Sequence, residues 1–149
     1  MIVGSGDYRY RVNADWAKLP DGWSFKEVGG VGVDSHDNVY VFNRGVHPMM
    51  VFDREGNFMR SWGEGRYPRA HGVHMAPTTR CSSQTMRAFR AQVTLDGKVL
   101  LELGVPGKPT PPMRGKPFHR CTHTALSPRP RSTSRTVMAT RGSTNTRPT

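Results

Sequence analysis

One stretch of the chain, residues 30–63, constrains the fold more than any other, because short apolar runs alternate in it with turn-forming clusters. It reads GVGVDSHDNVYVFNRGVHPMMVFDREGNFMRSWG. The clusters DSHDN, RGVHP and REG contain Asp, Asn and Gly, which accept the backbone conformations of tight reversals. Between them apolar residues alternate with the period of a half-buried strand. We therefore predict a four-stranded antiparallel meander. Its predicted strands are Val31–Asp34, Val39–Asn43, Met49–Asp53 and Asn57–Trp62.

Similar sequence recurs farther along the chain. GVGV at Gly30 resembles HGVH at His71, and FDREGNF resembles TLDGKV. The two members of each pair are about 40 residues apart, a repeat length that is typical of four-stranded propeller blades. A third unit begins with HTALSP at residues 123–128. A single meander has open edges and a small core, so it needs neighbours of the same kind. The fold class predicted is all-β, a β-propeller fragment of about one and a half to two blades.

The units divide the chain as follows. Residues 1–29 are an N-terminal segment, 30–63 a complete blade, and 64–128 a second blade with the start of a third. Within the second blade, the sequence TTRCSSQTMRAFRAQ has neither alternating apolar residues nor a cluster of turn-forming residues. We therefore expect the blade to be disrupted over residues 78–92. Residues 129–149 lack the apolar content for a core and are predicted to be disordered.

Shorter signals complete this prediction. YRYRV at residues 8–12 reads as a strand, and Trp16 and Trp23 as packing residues rather than ligand-stacking ones. VTLDGKVLLELG reads as a hairpin turning at Asp96 and Gly97.

Charge is distributed unevenly. The net charge is +11, yet residues 1–76 contain nine basic and nine acidic residues, so the whole excess lies beyond them. A basic tail is a signal of nucleic-acid binding. The residues from 129 onward contain no aromatic side chain for base stacking, however, so we do not expect a nucleic-acid partner.

The sequence also carries information on cellular location and on the roles of its cysteines. No apolar run is long enough for a membrane span, so no membrane partner is expected. The first residues show no apolar core behind a basic start, which predicts a cytoplasmic protein. Cys81 and Cys121 lack the CxxC spacing of a zinc knuckle.

Several phrases resemble one known family. GVGVDSHDNVYVFNRGVHP, FDREGNFMRSWGEG, LDGKVLLELG and GKPFHRCTHTALSP are similar to bacterial NHL-repeat propellers. The resemblance is closest to lyase-like proteins that cleave peptidyl-α-hydroxyglycine to a peptide amide and glyoxylate. It implies a six-bladed NHL-type β-propeller with zinc in its central channel, a structural calcium and a small peptide-like substrate.

The same resemblance assigns candidate site residues. His71 matches a zinc-binding histidine, and neutral imidazole is a normal zinc ligand. Val31 and Val73 match positions whose backbone carbonyls bind calcium, a cation that favours oxygen. Arg44 matches an arginine that holds the substrate carboxylate or activates its hydroxyl. His71 also has a plainer interpretation as a turn or surface residue, and Arg44 as a partner of Asp34 or Asp37.

Parts of the family pattern are missing. The catalytic tyrosine of the phrase DGYGN, the other zinc histidines and a calcium-binding aspartate are absent. Generic codons for residues 131–149, read in a shifted frame, are compatible with VSDGYGNARVHKYTPD, and those for 78–85 with DDTLFLTD. We therefore hypothesise a frameshifted and truncated copy that is inactive as written and binds neither metal stably.

Two other functions stay open: a non-catalytic NHL propeller that binds a protein or ligand, and a small β domain with a nucleic-acid-binding tail. The open sheet edges also predict self-association or aggregation.

Overall fold

The computed structural model describes residues 1–67, 69–76, 80–85, 89–103, 123–125 and 137–139. The regular structure in these residues is β-strand in antiparallel sheets, as the sequence predicted. Within these ranges no helix is long and apolar enough to cross a membrane. The strands are β1 (Ile2–Ser5), β2 (Tyr8–Arg11), β3 (Val28–Val33), β4 (Val39–Asn43), β5 (Met49–Phe52), β6 (Phe58–Trp62), β7 (Ala70–Met75), β8 (Arg80–Thr85), β9 (Phe89–Thr94), β10 (Val99–Leu103), β11 (His123–Ala125) and β12 (Val137–Ala139).

The first four-stranded sheet is the meander predicted over residues 30–63. Each strand pairs with the next in the order β3-β4-β5-β6. β4 has the predicted bounds, while β5 ends and β6 begins one residue inside theirs. β3 begins earlier than predicted, at Val28, because the Gly29-Gly30 pair continues the strand. Directly opposite residues share a face, so Val31 lies beside Val41.

Two reversals of this sheet are closed by the same side-chain device. Asp34 Oδ1 accepts the Asn38 N–H at 3.0 Å, and Asp53 Oδ1 accepts the Asn57 N–H at 2.8 Å. Each asparagine amide also donates to the other carboxylate oxygen, at 3.0 Å and 2.6 Å. Gly56 takes the left-handed conformation that the second turn requires (φ +80°). Local hydrogen bonds therefore hold both turns.

The hairpin between β9 and β10 repeats this arrangement with a different first residue. Thr94 Oγ1 accepts the Lys98 N–H at 3.0 Å, in the place of the aspartate carboxylate. The Gly97 N–H donates to Thr94 O at 3.0 Å, and Gly97 has a φ of +90°. The turn predicted at Asp96 and Gly97 is confirmed.

The second four-stranded sheet has the order β7-β8-β9-β10. β8 and β9 lie largely within residues 78–92, so strands also form in the stretch where the sequence pattern predicted a disruption of the second blade. The alternation of apolar and polar residues is a property of the side chains. Strand pairing, in contrast, uses backbone N–H and C=O groups, which nearly every residue has. The well-patterned strands β7 and β10 form its two edges.

The first strands of the two sheets correspond position by position. β3 and β7 are each six residues long, and each has a register shift after its first residue against the next strand. Val31 therefore corresponds to Val73. The strands also lie side by side in the same direction: a Cβ on Gly29 would be 2.6 Å from Ala70 O, and one on Gly32 2.6 Å from Met75 Cγ. Glycine permits this close approach.

Two apolar clusters cover the two faces of the first sheet. One lies between the sheets and is formed by Tyr40, Phe42, Met49, Val51, Trp62, Tyr67, Ala70, Ala91 and Val93. The other lies on the opposite face, where Val41, Met50 and Phe52 are covered mainly by the N-terminal segment. Trp16 stacks at a tilt on Phe52 with ring centroids 5.6 Å apart, and Trp23 meets Phe58 edge-on at 5.2 Å. The predicted packing role of the two tryptophans is confirmed.

At the start of the chain, β1 and β2 pair with each other and with no other strand of the described residues, and all their residues are exposed. β2 confirms the strand predicted at YRYRV. Of the predicted disordered tail, the structure describes only Val137–Ala139, which pair with β11. The rest of residues 129–149 lies outside the described residues.

Candidate functional site

Arg44 lies where the two sheets meet. It follows β4 directly, and its backbone N–H donates to Glu27 O at 2.9 Å. Its side chain is about a quarter exposed, and its donors contact groups at both sheets. Nε donates to Ala70 O at 2.8 Å, and an Nη atom contacts a carboxylate oxygen of Glu27 at 2.7 Å. Arg44 thus joins the residue before β3 to the first residue of β7.

The charge partner of Arg44 is Glu27 rather than Asp34 or Asp37, the two partners that the sequence suggested. The hydrogen bond and positive charge of Arg44 hold the pKa of Glu27 below its usual value. The carboxylate is therefore ionised at neutral pH and offsets the charge of the guanidinium. Because Glu27 is exposed, water can replace this contact, so another carboxylate could compete for the same Nη donor.

The loop that carries Arg44 is held by a buried amide. Asn43 is fully buried, and its Oδ1 accepts the backbone N–H groups of Lys26 at 2.9 Å and Glu27 at 3.2 Å. Its Nδ2 donates to His47 O at 3.4 Å, and its backbone N–H to Pro48 O at 2.6 Å. Sequence reasoning missed this role. The available signal was a single amide at the end of the apolar run VYVF, immediately before Arg44.

The other predicted site residues lie on the two adjacent strands. His71 is half-buried on β7, next to the Ala70 carbonyl that Arg44 contacts. Val31 and Val73 occupy corresponding positions on β3 and β7, and a Cβ on Gly30 would be 3.0 Å from Val73 N. The structure therefore places three of the predicted site residues on two neighbouring strands, and the fourth, Arg44, against the first residue of one of them.

An open pocket adjoins Arg44. It has a volume of about 390 Å³. Two cationic side chains, one carboxylate and apolar groups surround it. The lining residues are Lys26, Arg44, Gly45, Val46, Pro48, Glu64, Gly65 and Tyr67. Such a lining suits a small molecule with an anionic end and an apolar end.

His47 supports one wall of this pocket. Its ring stacks on Trp23 with centroids 3.3 Å apart and planes 5° from parallel. Its Nδ1 lies 3.3 Å from Glu64 Oε1, which also accepts the Ser61 hydroxyl at 2.9 Å. Partial burial raises the pKa of Glu64, but hydrogen bonds from its own N–H, Ser61 and His47 outweigh burial and leave it lowered. This geometry agrees with a structural role for His47.

A second arginine joins the two sheets at the other end of β4. An Nη atom of Arg60 donates to the Tyr40 hydroxyl at 3.1 Å and to Leu95 O at 3.2 Å. The Tyr40 hydroxyl donates in turn to Asp34 Oδ2 at 3.2 Å. Arg44 and Arg60 therefore fix the relative position of the sheets at two separate points.

The described residues do not by themselves make a catalytic zinc site. Within the part of the chain that the structure covers, no three His, Cys, Asp or Glu side chains are grouped to hold a metal. His71 supplies one imidazole, whereas catalytic zinc takes three protein ligands. A backbone carbonyl pair such as that of Val31 and Val73 is also too small a ligand set for calcium, which takes six to eight oxygens.

Comparison with models of known protein families finds no match to this chain, and comparison with curated proteins finds none either.

Proposed function

We propose that this chain forms consecutive units of an NHL-type β-propeller related to the lyases that release glyoxylate from peptidyl-α-hydroxyglycine, and that it is inactive as written. One observation carries this proposal. β3 and β7, the first strands of two antiparallel meanders, lie side by side in the same direction and share the same register shift. Radial repetition of such sheets is the architecture of a propeller.

The arrangement around Arg44 supports the lyase-related part of the proposal. Arg44 donates to Ala70 O, one residue before His71, so the residues proposed for carboxylate binding and zinc binding come from adjacent units. One Nη donor contacts the exposed carboxylate of Glu27 at 2.7 Å. In the proposed site, a substrate carboxylate displaces Glu27 from Arg44 and lies in the adjoining pocket. Zinc, when bound by a complete set of ligands, would polarise the substrate hydroxyl.

Inactivity follows from what the sequence lacks. Arg44 can position a substrate, but a single imidazole cannot supply the metal site. The phrase DGYGN, whose tyrosine is the expected base, is absent. A site that binds a ligand but has neither a metal ion nor a general base can orient the ligand but cannot cleave it.

The coding DNA tests this proposal directly. We expect the other reading frames downstream of Ala76 to encode DDTLFLTD and SDGYGN, followed by further blades with histidines. The frame-restored chain, supplied with zinc, should then release glyoxylate from a peptidyl-α-hydroxyglycine, and the chain as written should not. Arg44→Gln in the restored chain should raise KM more than Arg44→Lys, because lysine keeps the charge.

Two results would contradict the proposal. A single uninterrupted reading frame would refute the frameshift and favour a ligand-binding propeller or a β domain with a basic tail. A frame-restored protein that binds zinc but yields no glyoxylate would refute the lyase relationship while leaving the propeller intact.

A further inference from the structure

The face of β3 that points away from β7 is apolar and exposed. Val28, Val31 and Val33 are 48%, 57% and 52% exposed. Val31 and Val33 lie opposite Val41 and Val39, so they share the sheet face that the N-terminal segment covers over β4 to β6. We call these three residues the valine face. That cover stops short of β3, although the apolar surface continues onto it.

The second unit shows how such a face is used. Val73 and Met75 hold the positions on β7 that Val31 and Val33 hold on β3. Both side chains pack on the core between the sheets, against Gly30 and Gly32. The same strand position is therefore packed against a neighbouring strand in one unit and open to water in the other.

We propose that the valine face is a self-association surface that packs against the same face of a second copy of this chain. The six residues of β3 carry no charge, so the face offers nothing to a charged partner. Just outside the strand, Lys26 precedes its start and Asp34 follows its end. In an antiparallel two-fold contact, the Lys26 end of each copy approaches the Asp34 end of the other, which is complementary in charge.

The chemistry of these ends fits this arrangement. Glu27, which follows Lys26 in the sequence, is already paired with Arg44. Burial raises the pKa of Asp34, but hydrogen bonds from Asn38, His36 and Tyr40 outweigh it, so Asp34 is ionised at neutral pH. Three valines with these flanking charges cover less than the roughly 800 Å² per partner of a stable interface, so the association is weak.

Sedimentation of the full chain over a range of concentrations, at moderate salt to screen its high net charge, tests this inference. We expect reversible dimer formation with a dissociation constant of order micromolar. The double variant Val31→Thr/Val33→Thr keeps the branched shape and strand preference of valine but removes two methyl groups. It should raise the dissociation constant about tenfold. Val31→Lys should abolish the dimer, and Lys26→Glu should weaken it.

Matched substitutions separate this surface from other exposed apolar residues. Val46, 78% exposed in the loop after β4, receives the same changes to threonine and lysine and should leave the dimer intact. Tyr10, 61% exposed on the β1–β2 hairpin, is replaced by lysine. Far-ultraviolet circular dichroism confirms that each variant is folded. A chain that stays monomeric at every concentration, or a dimer lost in Tyr10→Lys but kept in Val31→Lys, would overturn the assignment.

Discussion

Replacing Asn43 with alanine tests how the loop that carries Arg44 is held. The Asn43 side chain makes three hydrogen bonds, to Lys26 N, Glu27 N and His47 O. Losing the partner of a buried group costs about 1–3 kcal/mol. Lys26 and Glu27 are exposed residues and their bonds to Asn43 are only partly buried, so we take the low end of this range for each bond. The expected loss is about 3 kcal/mol of unfolding free energy.

Urea unfolding followed by circular dichroism measures this loss. With a denaturant slope of about 1–3 kcal/mol per molar, the midpoint should fall by about 1–3 M. The matched control is Asn57→Ala in the same sheet. Asn57 is exposed and bonds Asp53 and Lys18, so water replaces its partners and the loss should stay below about 1 kcal/mol. Equal losses in the two variants would refute the reasoning from burial.

Two further predictions concern the contacts between the sheets. Gly29→Ala should lower the free energy of unfolding by about 1–3 kcal/mol, because the added Cβ meets the backbone of β7. Gly32→Ala should cost less, because its Cβ meets a flexible methionine side chain. Thermal unfolding of the two variants measures the difference, and the reverse order would contradict the strand arrangement. Arg44→Gln should make stability less sensitive to acid. A carboxyl with a lowered folded pKa stabilises above its unfolded pKa and loses this as pH falls, so wild-type stability should drop more below the ordinary value of 4.5 for Glu27. Urea titrations at several pH values measure the difference, and parallel curves would exclude this role of the Arg44–Glu27 pair.

The first sheet was predictable because its information is local. Alternation identifies the strands and Asp, Asn and Gly mark the reversals, so β4 was placed to the residue. β8 and the first part of β9 were not predicted because the sequence there does not alternate, while strand pairing uses the backbone.

The site could be predicted only one residue at a time. Resemblance pointed to Arg44 and His71, but their proximity depends on the contact of β3 with β7, far apart in sequence. Asn43 was missed because only burial shows that an amide is a structural brace. A sequence that marks strands and turns therefore leaves the relative position of the sheets undetermined.

The repeated turn device has a consequence for how the chain acquires its structure. In each of the three reversals, the first residue captures the backbone N–H four positions later, so closure needs no residue from outside the turn. Loops this short close within about 100 ns, whereas joining Arg44 to Ala70 must enclose a far longer segment. The hairpins should accordingly nucleate first. Docking of the two sheets, and with it the assembly of the Arg44 site, becomes the late and slower event of folding.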